Sequence, residues 1–162
     1  MVKVIRNFMC IMLSVTLLLG TGLTVFAETI PPNLGDVVDG SVLTNDVTSE
    51  TEIYNPSRGN ILNRGIARIS NNGNNSVNIY GAVTGAIVCD KLQLSLTLQR
   101  LEGNTWVTVT TYSDTAYGQV VLSKSYNRSV TSGYYYRVKA ACVATKGSTS
   151  EYQMPVTNGL WI

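Results

Sequence analysis

Asp90 and Glu151 are the pair of residues in this chain whose types could carry out general acid–base chemistry. Glycoside hydrolysis needs two carboxyl groups about 5 to 9 Å apart in a cleft. Asp90 adjoins Lys91, and Glu151 follows Lys146 across a polar turn, so both also read as turn acids. Nucleophile triads lack their base, because the 162 residues contain no histidine. A phosphate-cradling glycine loop, a dinucleotide fingerprint and a calcium loop are all missing from the sequence. The expectation is a protein that is not an enzyme and uses no cofactor, with a small carboxylate glycosidase as the distant alternative.

A second constellation could bind rather than react. In GYYYRVKAACVA, residues 133–144, a period of two puts Tyr134, Tyr136, Val138, Ala140 and Cys142 on one face. Tyr135, Arg137, Lys139 and Ala141 take the other. If the cysteine face is core, Tyr135, Arg137 and Lys139 point outward beside Gln93 of a neighbouring strand. TWVTVTTY places Trp106 and Tyr112 in one phase, and they join that outer face if Val107 and Val109 point inward. Aromatic rings offer flat stacking area, while Arg, Lys and Gln supply donors. The candidate binding residues are therefore Tyr135, Arg137, Lys139, Gln93, Trp106 and Tyr112, and the partners they suit are a glycan, an anionic cell-wall polymer or a protein. The same residues have a plain explanation in the preference of tyrosine for strands and in Trp106 as a core plug.

These residues need strands to position them. LQLSLTLQ is the cleanest alternation, with Leu92, Leu94, Leu96 and Leu98 opposite Gln93, Ser95, Thr97 and Gln99. SVNIYGAV sets Val77, Ile79, Gly81 and Val83 on one side. SNNGNN at 70–75 and EGN at 102–104 are turn signals, since Asn and Gly tolerate positive φ. Further strands are expected in TWVTVTTY, GQVVLS, YYYRVKAACVA and the terminal EYQMPVTNGLWI, and no helix. Six or seven short antiparallel strands predict an all-β domain, a single antiparallel β-sandwich of immunoglobulin or fibronectin type III kind, with a barrel as the alternative.

The N-terminus reads as a signal peptide over residues 1–27: Lys3 and Arg6, an apolar run over 9–23, and a small-residue cleavage site after Ala27. The run is shorter than the ~20 residues of a spanning helix. Cys10 would leave with it, and the mature chain is expected to be secreted, touching a membrane only before cleavage. An exported chain that retains Cys89 and Cys142 predicts a disulfide between them, contributing roughly 4 kcal/mol in the chain-entropy model. A metal site is not expected, with no histidine and two thiols.

Residues 28–56 hold six acids and no base, whereas residues 57–162 hold four acids and ten bases. The first segment, with Pro31, Pro32 and Pro56, predicts a disordered acidic arm, serving as a solubilising spacer or folding back on the basic domain at 57–162. The bases are spread without a run, so nucleic acid is not an expected partner. The oligomeric state is left open.

Cys89-Asp-Lys-Leu followed by the alternating leucines, the LQR…W stretch over 98–106, GYYYRV and the Glu151-containing terminal strand together resemble a family of small secreted proteins of Gram-positive bacteria, a domain of unknown function. The similarity spans residues 64–162. The strand order from Leu92 onward is also similar to fibronectin type III modules. The resemblance implies an extracellular or cell-surface β-domain and transfers no catalytic residue. The function expected is binding or adhesion by a non-catalytic exported domain. The alternative is a secreted effector, such as a toxin, a bacteriocin-like agent or an inhibitor, acting on a membrane or a protein.

Overall fold

The computed structural model describes residues 31–55 and 61–162. The expected signal peptide, its cleavage site and the start of the acidic segment lie outside the described residues. Nine strands and no helix are present among those that are described: β1 (Val37–Val38), β2 (Ser41–Thr44), β3 (Thr48–Tyr54), β4 (Leu62–Gly73), β5 (Ser76–Glu102), β6 (Thr105–Ser129), β7 (Tyr135–Lys146), β8 (Thr149–Gln153) and β9 (Gly159–Trp161). They form one curled sheet in the order β1-β2-β9-β7-β5-β4-β3, with β6 on the other side of β5 and β8 on β7. The β2–β9 pair is parallel and the others are antiparallel. The fold is thus all-β as expected, but it is a half-barrel of a mixed sheet rather than clearly an antiparallel sandwich.

The difference lies in β5 and β6. Four runs that read as separate strands are two continuous bent ones. Between Thr84 and Cys89 the register slips, so that residues 85–88 of β5 stand against Val120 alone on β6. Such a bulge bends the strand and increases its twist. Gly85 permits it, since a Cβ there would come 2.6 Å from Cys89 Sγ and 2.7 Å from the Ile87 carbonyl. Gly118, at φ +62°, lies in the matching bend of β6. The first arm of β5 pairs with β4 and the second with β7, and the two arms face one another across the core.

The alternation read from the sequence builds that core. Val77, Ile79 and Val83 of the first arm and Leu92, Leu94, Leu96 and Leu98 of the second are fully buried. So are Ala67 and Ile69 of β4 and Tyr136, Val138, Ala140, Cys142 and Ala144 of β7. Gly81 belongs to the same inward phase, and a Cβ on it would overlap the Leu96 Cδ2 methyl. The missing side chain lets the arms close.

The turns follow from their residues. β4 and β5 are joined by Asn74-Asn75, at φ +51° and +55°, and β1 and β2 by Asp39-Gly40, at +48° and +76°. Two positive φ values in a two-residue loop define the type I′ hairpin, whose twist matches that of the flanking strands.

Two expectations are corrected here. The acidic segment is not a disordered arm over its described length: it supplies β1, β2 and β3, and its acids meet bases of the domain. Glu52 reaches Arg64 at 2.7 Å, Glu50 reaches Arg68 at 3.4 Å and Asp39 reaches Arg137 at 2.6 Å. Nor is there a disulfide, since Cys89 and Cys142 are free and buried. Cys142 stands opposite Leu94. Cys89 lies five residues before Leu94 on the same strand, on the order of 16 Å at ~3.3 Å per residue. A bridge needs Cα atoms within about 7 Å. Cys89 Sγ instead donates to the Ile87 carbonyl at 3.4 Å, and Cys142 Sγ to the Ala82 carbonyl at 3.5 Å.

Candidate functional site

The outward face of β7 does not meet solvent at its aromatic end. Tyr135 and Arg137 are 3% and 4% exposed, although their phase is opposite to the core. What covers them is the N-terminal hairpin β1–β2 together with β9. Leu43, Leu101 and Tyr135 form a second, smaller cluster against which Val38, Trp106 and Trp161 pack.

Arg137 fastens the hairpin down. Its Nη2 meets the Asp39 carboxylate at 2.6 Å, Nη1 donates to the Asp39 carbonyl and to Ser41 Oγ, each at 3.0 Å, and Nε donates to Gln99 Oε1 at 2.9 Å. The guanidinium also lies over the Trp106 ring, 4.4 Å from its centroid. Trp106 Nε1 donates to the Val38 carbonyl at 3.1 Å. The Arg137 guanidinium, by hydrogen bond first and charge second, holds the Asp39 carboxyl below its ordinary range. The residue expected to grip a ligand grips its own N-terminal segment.

The other expected contacts separate for a physical reason. Leu98 pairs with Thr110 and Gln99 with Thr108, so Val109 is an extra residue in β6. One extra residue flips the phase of a strand. Trp106 therefore shares the outer face with Gln99 and Arg137, whereas Tyr112 sits opposite Leu96 and faces the core. Tyr112 is half-buried and stacks on Tyr126. Gln93 and Lys139 stay half-buried on the outer face, with Lys139 bridged to Val156. The six candidates do not form one surface.

The carboxylates are held in structural bonds. Asp90 meets Lys146 Nζ at 2.6 Å and accepts from the Gly147 amide at 2.8 Å, interactions that depress its carboxyl below the ordinary range, Lys146 contributing most. Glu151 Oε2 accepts from the Leu62 amide at 2.8 Å.

Beside the second cluster the aromatic surface opens into a cleft of about 220 Å³. Two glycines line it: Gly103, at φ +59° in the β5–β6 hairpin, and Gly133, at +83° before β7. Pro32, Asn33, Leu101, Tyr134, Tyr135 and Trp161 complete the lining. No charged residue lines it. The rings are braced: Tyr135 meets Trp161 edge to face at 4.9 Å, and Arg100 lies over Tyr134 at 4.5 Å. The backbone is tied too, since Gly133 N donates to the Ile162 carbonyl at 2.6 Å and Ile162 N to the Tyr134 carbonyl at 3.1 Å. The buried Tyr135 hydroxyl has no hydrogen-bond partner among the described residues. Burial, and secondarily the charge of Asp36, pushes its pKa up.

Of the predicted site residues, the cleft takes only Tyr135. Trp161, Tyr134, Leu101 and Asn33 were not expected here. The signal available in sequence was Gly159-Leu-Trp161, where a small residue admits large neighbours: a Cβ on Gly159 would stand 2.9 Å from both Leu43 and Trp106.

No protein-family profile matches the chain, and no curated protein is significantly similar to it.

Proposed function

We propose that this is an exported, non-catalytic β-domain that binds a neutral glycan unit in the Tyr134–Tyr135–Trp161 cleft. The observation that carries the reading is a cleft lined by Tyr134, Tyr135 and Trp161 and by no charged residue. Rings stack on the apolar faces of sugars, and hydroxyl and amide groups serve their polar edges. The volume, about 220 Å³, falls below the ~300 Å³ at which drug-sized ligands begin to fit, so one ring is the natural occupant. An anionic wall polymer fits less well, because Arg137 and Arg100 are already engaged with Asp39 and Glu102.

The immunoglobulin or fibronectin type III likeness, and the membership of the Gram-positive secreted family that goes with it, belong to the same proposal. The facing arms of β5 support the likeness, and the continuity of β5 and β6 distinguishes this chain from a two-sheet sandwich. A glycan array tests the function. Capture of neutral glycans that is lost in Tyr134→Ala and Trp161→Ala supports it. Capture unchanged in both variants, or confined to charged polymers, counts against it.

A further inference from the structure

Two of the residues that line the cleft, Pro32 and Asn33, belong to the N-terminal segment rather than to the body of the sheet. A turn ties them to the β1–β2 hairpin. Asn33 and Gly35 take positive φ, +60° and +91°. The Asp36 amide donates to the Asn33 carbonyl at 3.0 Å, and the Gly35 amide to the Leu43 carbonyl at 2.8 Å. Leu43 N returns a bond to the Asp36 carbonyl, also at 2.8 Å. Where the hairpin goes, Pro32 and Asn33 go with it.

The hairpin itself is lightly held. β1 has 2 residues and β2 has 4, and a two-stranded hairpin is marginal on its own. β2 pairs with β9 only at Leu43–Gly159 and Thr44–Leu160. By contrast β3, which follows after residues 45–47, pairs with β4 along its whole length from Thr48 to Tyr54. Apolar burial adds little: Val38 and Leu43 join the second cluster, while Leu34, Val37 and Val42 are exposed. Polar bonds make up the difference. Ser41 Oγ donates to the Thr157 carbonyl at 2.8 Å, and Val42 N to Asn158 Oδ1 at 3.1 Å. Arg137 supplies three more, two to Asp39 and one to Ser41, and it does not itself line the cleft. An element with few buried apolar contacts opens locally at a lower free energy than the sheet that carries it.

We infer that residues 31–44 form a strap that opens as a unit and so governs the cleft, with Arg137 as the positioning residue that holds it shut. Opening takes Pro32 and Asn33 out of the lining and lifts Leu43 from Leu101 and Tyr135, against which it packs. The closed strap is then the binding-competent state, and affinity falls by the fraction of molecules that are open. What enters the cleft rests on the glycan reading. The strap does not, and its test uses no sugar, so the two can fail separately.

Thiol labelling of the purified protein carrying Leu43→Cys is that test. Leu43 is 2% exposed, beneath the strap, whereas Cys89 and Cys142 are free thiols buried in the main core and report opening of the sheet. Under native conditions the introduced thiol should label, by peptide mass spectrometry, while Cys89 and Cys142 stay protected. Adding Arg137→Lys should speed that labelling about tenfold or more, because an ammonium cannot span Asp39 and Ser41 as the guanidinium fork does. Asp39→Asn, a residue suited to the φ of +48° there, should act in the same direction. Amide exchange on wild type stands in if the cysteine variant fails to fold: Gly35 and Leu43 should exchange faster than the amides of β5. Three results overturn the inference. They are labelling at 43 only together with Cys89 and Cys142, a rate indifferent to Arg137→Lys, and strap amides no faster than those of β5.

Discussion

Tyr112 and Tyr126 belong to the same strand, yet their rings stack with centroids 4.2 Å apart and planes 7° from parallel. Only a strand folded on itself allows this. Asp114 of one arm accepts from the Tyr126 hydroxyl of the other and pairs with Lys124 at 3.2 Å.

That clasp predicts alkaline lability. The hydrogen bond to Asp114, with burial second, pushes the Tyr126 phenol up to about 12. A raised phenol keeps its proton in the folded state while the unfolded chain, at about 10, loses it. Stability from this group is therefore complete below pH ~10 and is lost as pH rises toward 12. Urea midpoints measured from pH 8 to 12 should fall across that window, and Tyr126→Phe should lessen the fall. A fall of equal size in the variant would contradict the assignment.

Much of the fold was legible in the sequence. The four leucines of LQLSLTLQ, the split of GYYYRVKAACVA into two faces and the Asn-rich turn all read from a period of two or from the demands of positive φ. What was not legible rests on single residues whose effect is tertiary. Gly85 and Gly118 sit at bends that join runs read as separate strands. Val109 reverses the phase of β6, which moved Tyr112 inward. The acidic segment has little periodicity because its strands take their place from Arg64, Arg68 and Arg137, bases far away in sequence.

Removing the lock on the N-terminal hairpin should destabilise the domain. Arg137→Ala deletes four hydrogen bonds and the stack on Trp106, a loss of about 2 kcal/mol. Arg137→Lys should recover little, because an ammonium cannot reproduce the guanidinium fork. The Asp39 contribution is complete at neutral pH and is lost as pH falls through the depressed carboxyl pKa. Thermal melts of the two variants check the first point. Wild-type acid melts against Asp39→Asn check the second.

Gly81 should tolerate no side chain. Gly81→Ala drives a methyl into Leu96 and should cost about 1 to 3 kcal/mol by overpacking. Leu96→Ala should itself destabilise, and the double variant should be more stable than the sum of the two losses allows. Additive denaturation energies would contradict the close approach of the β5 arms.

Cys89 and Cys142 should both be present as unreactive thiols. Burial pushes the Cys142 thiol up to about 12 and also raises that of Cys89. Titration with a thiol reagent should find neither in the native protein and both after denaturation without reductant. Absence of free thiol in the denatured, unreduced chain would establish the bridge that the register forbids.

The central claim, that the aromatic cleft binds a neutral sugar ring, is tested most directly by fluorescence titration of a Trp106→Phe variant. Trp161 is then the sole tryptophan and lines the cleft. Adding neutral monosaccharides and short oligosaccharides should give a saturable change with a midpoint of about 1 mM or tighter, near −4 kcal/mol. The change should vanish when Tyr134→Ala is added. A flat titration across the panel, or a response that persists without Tyr134, would contradict the claim.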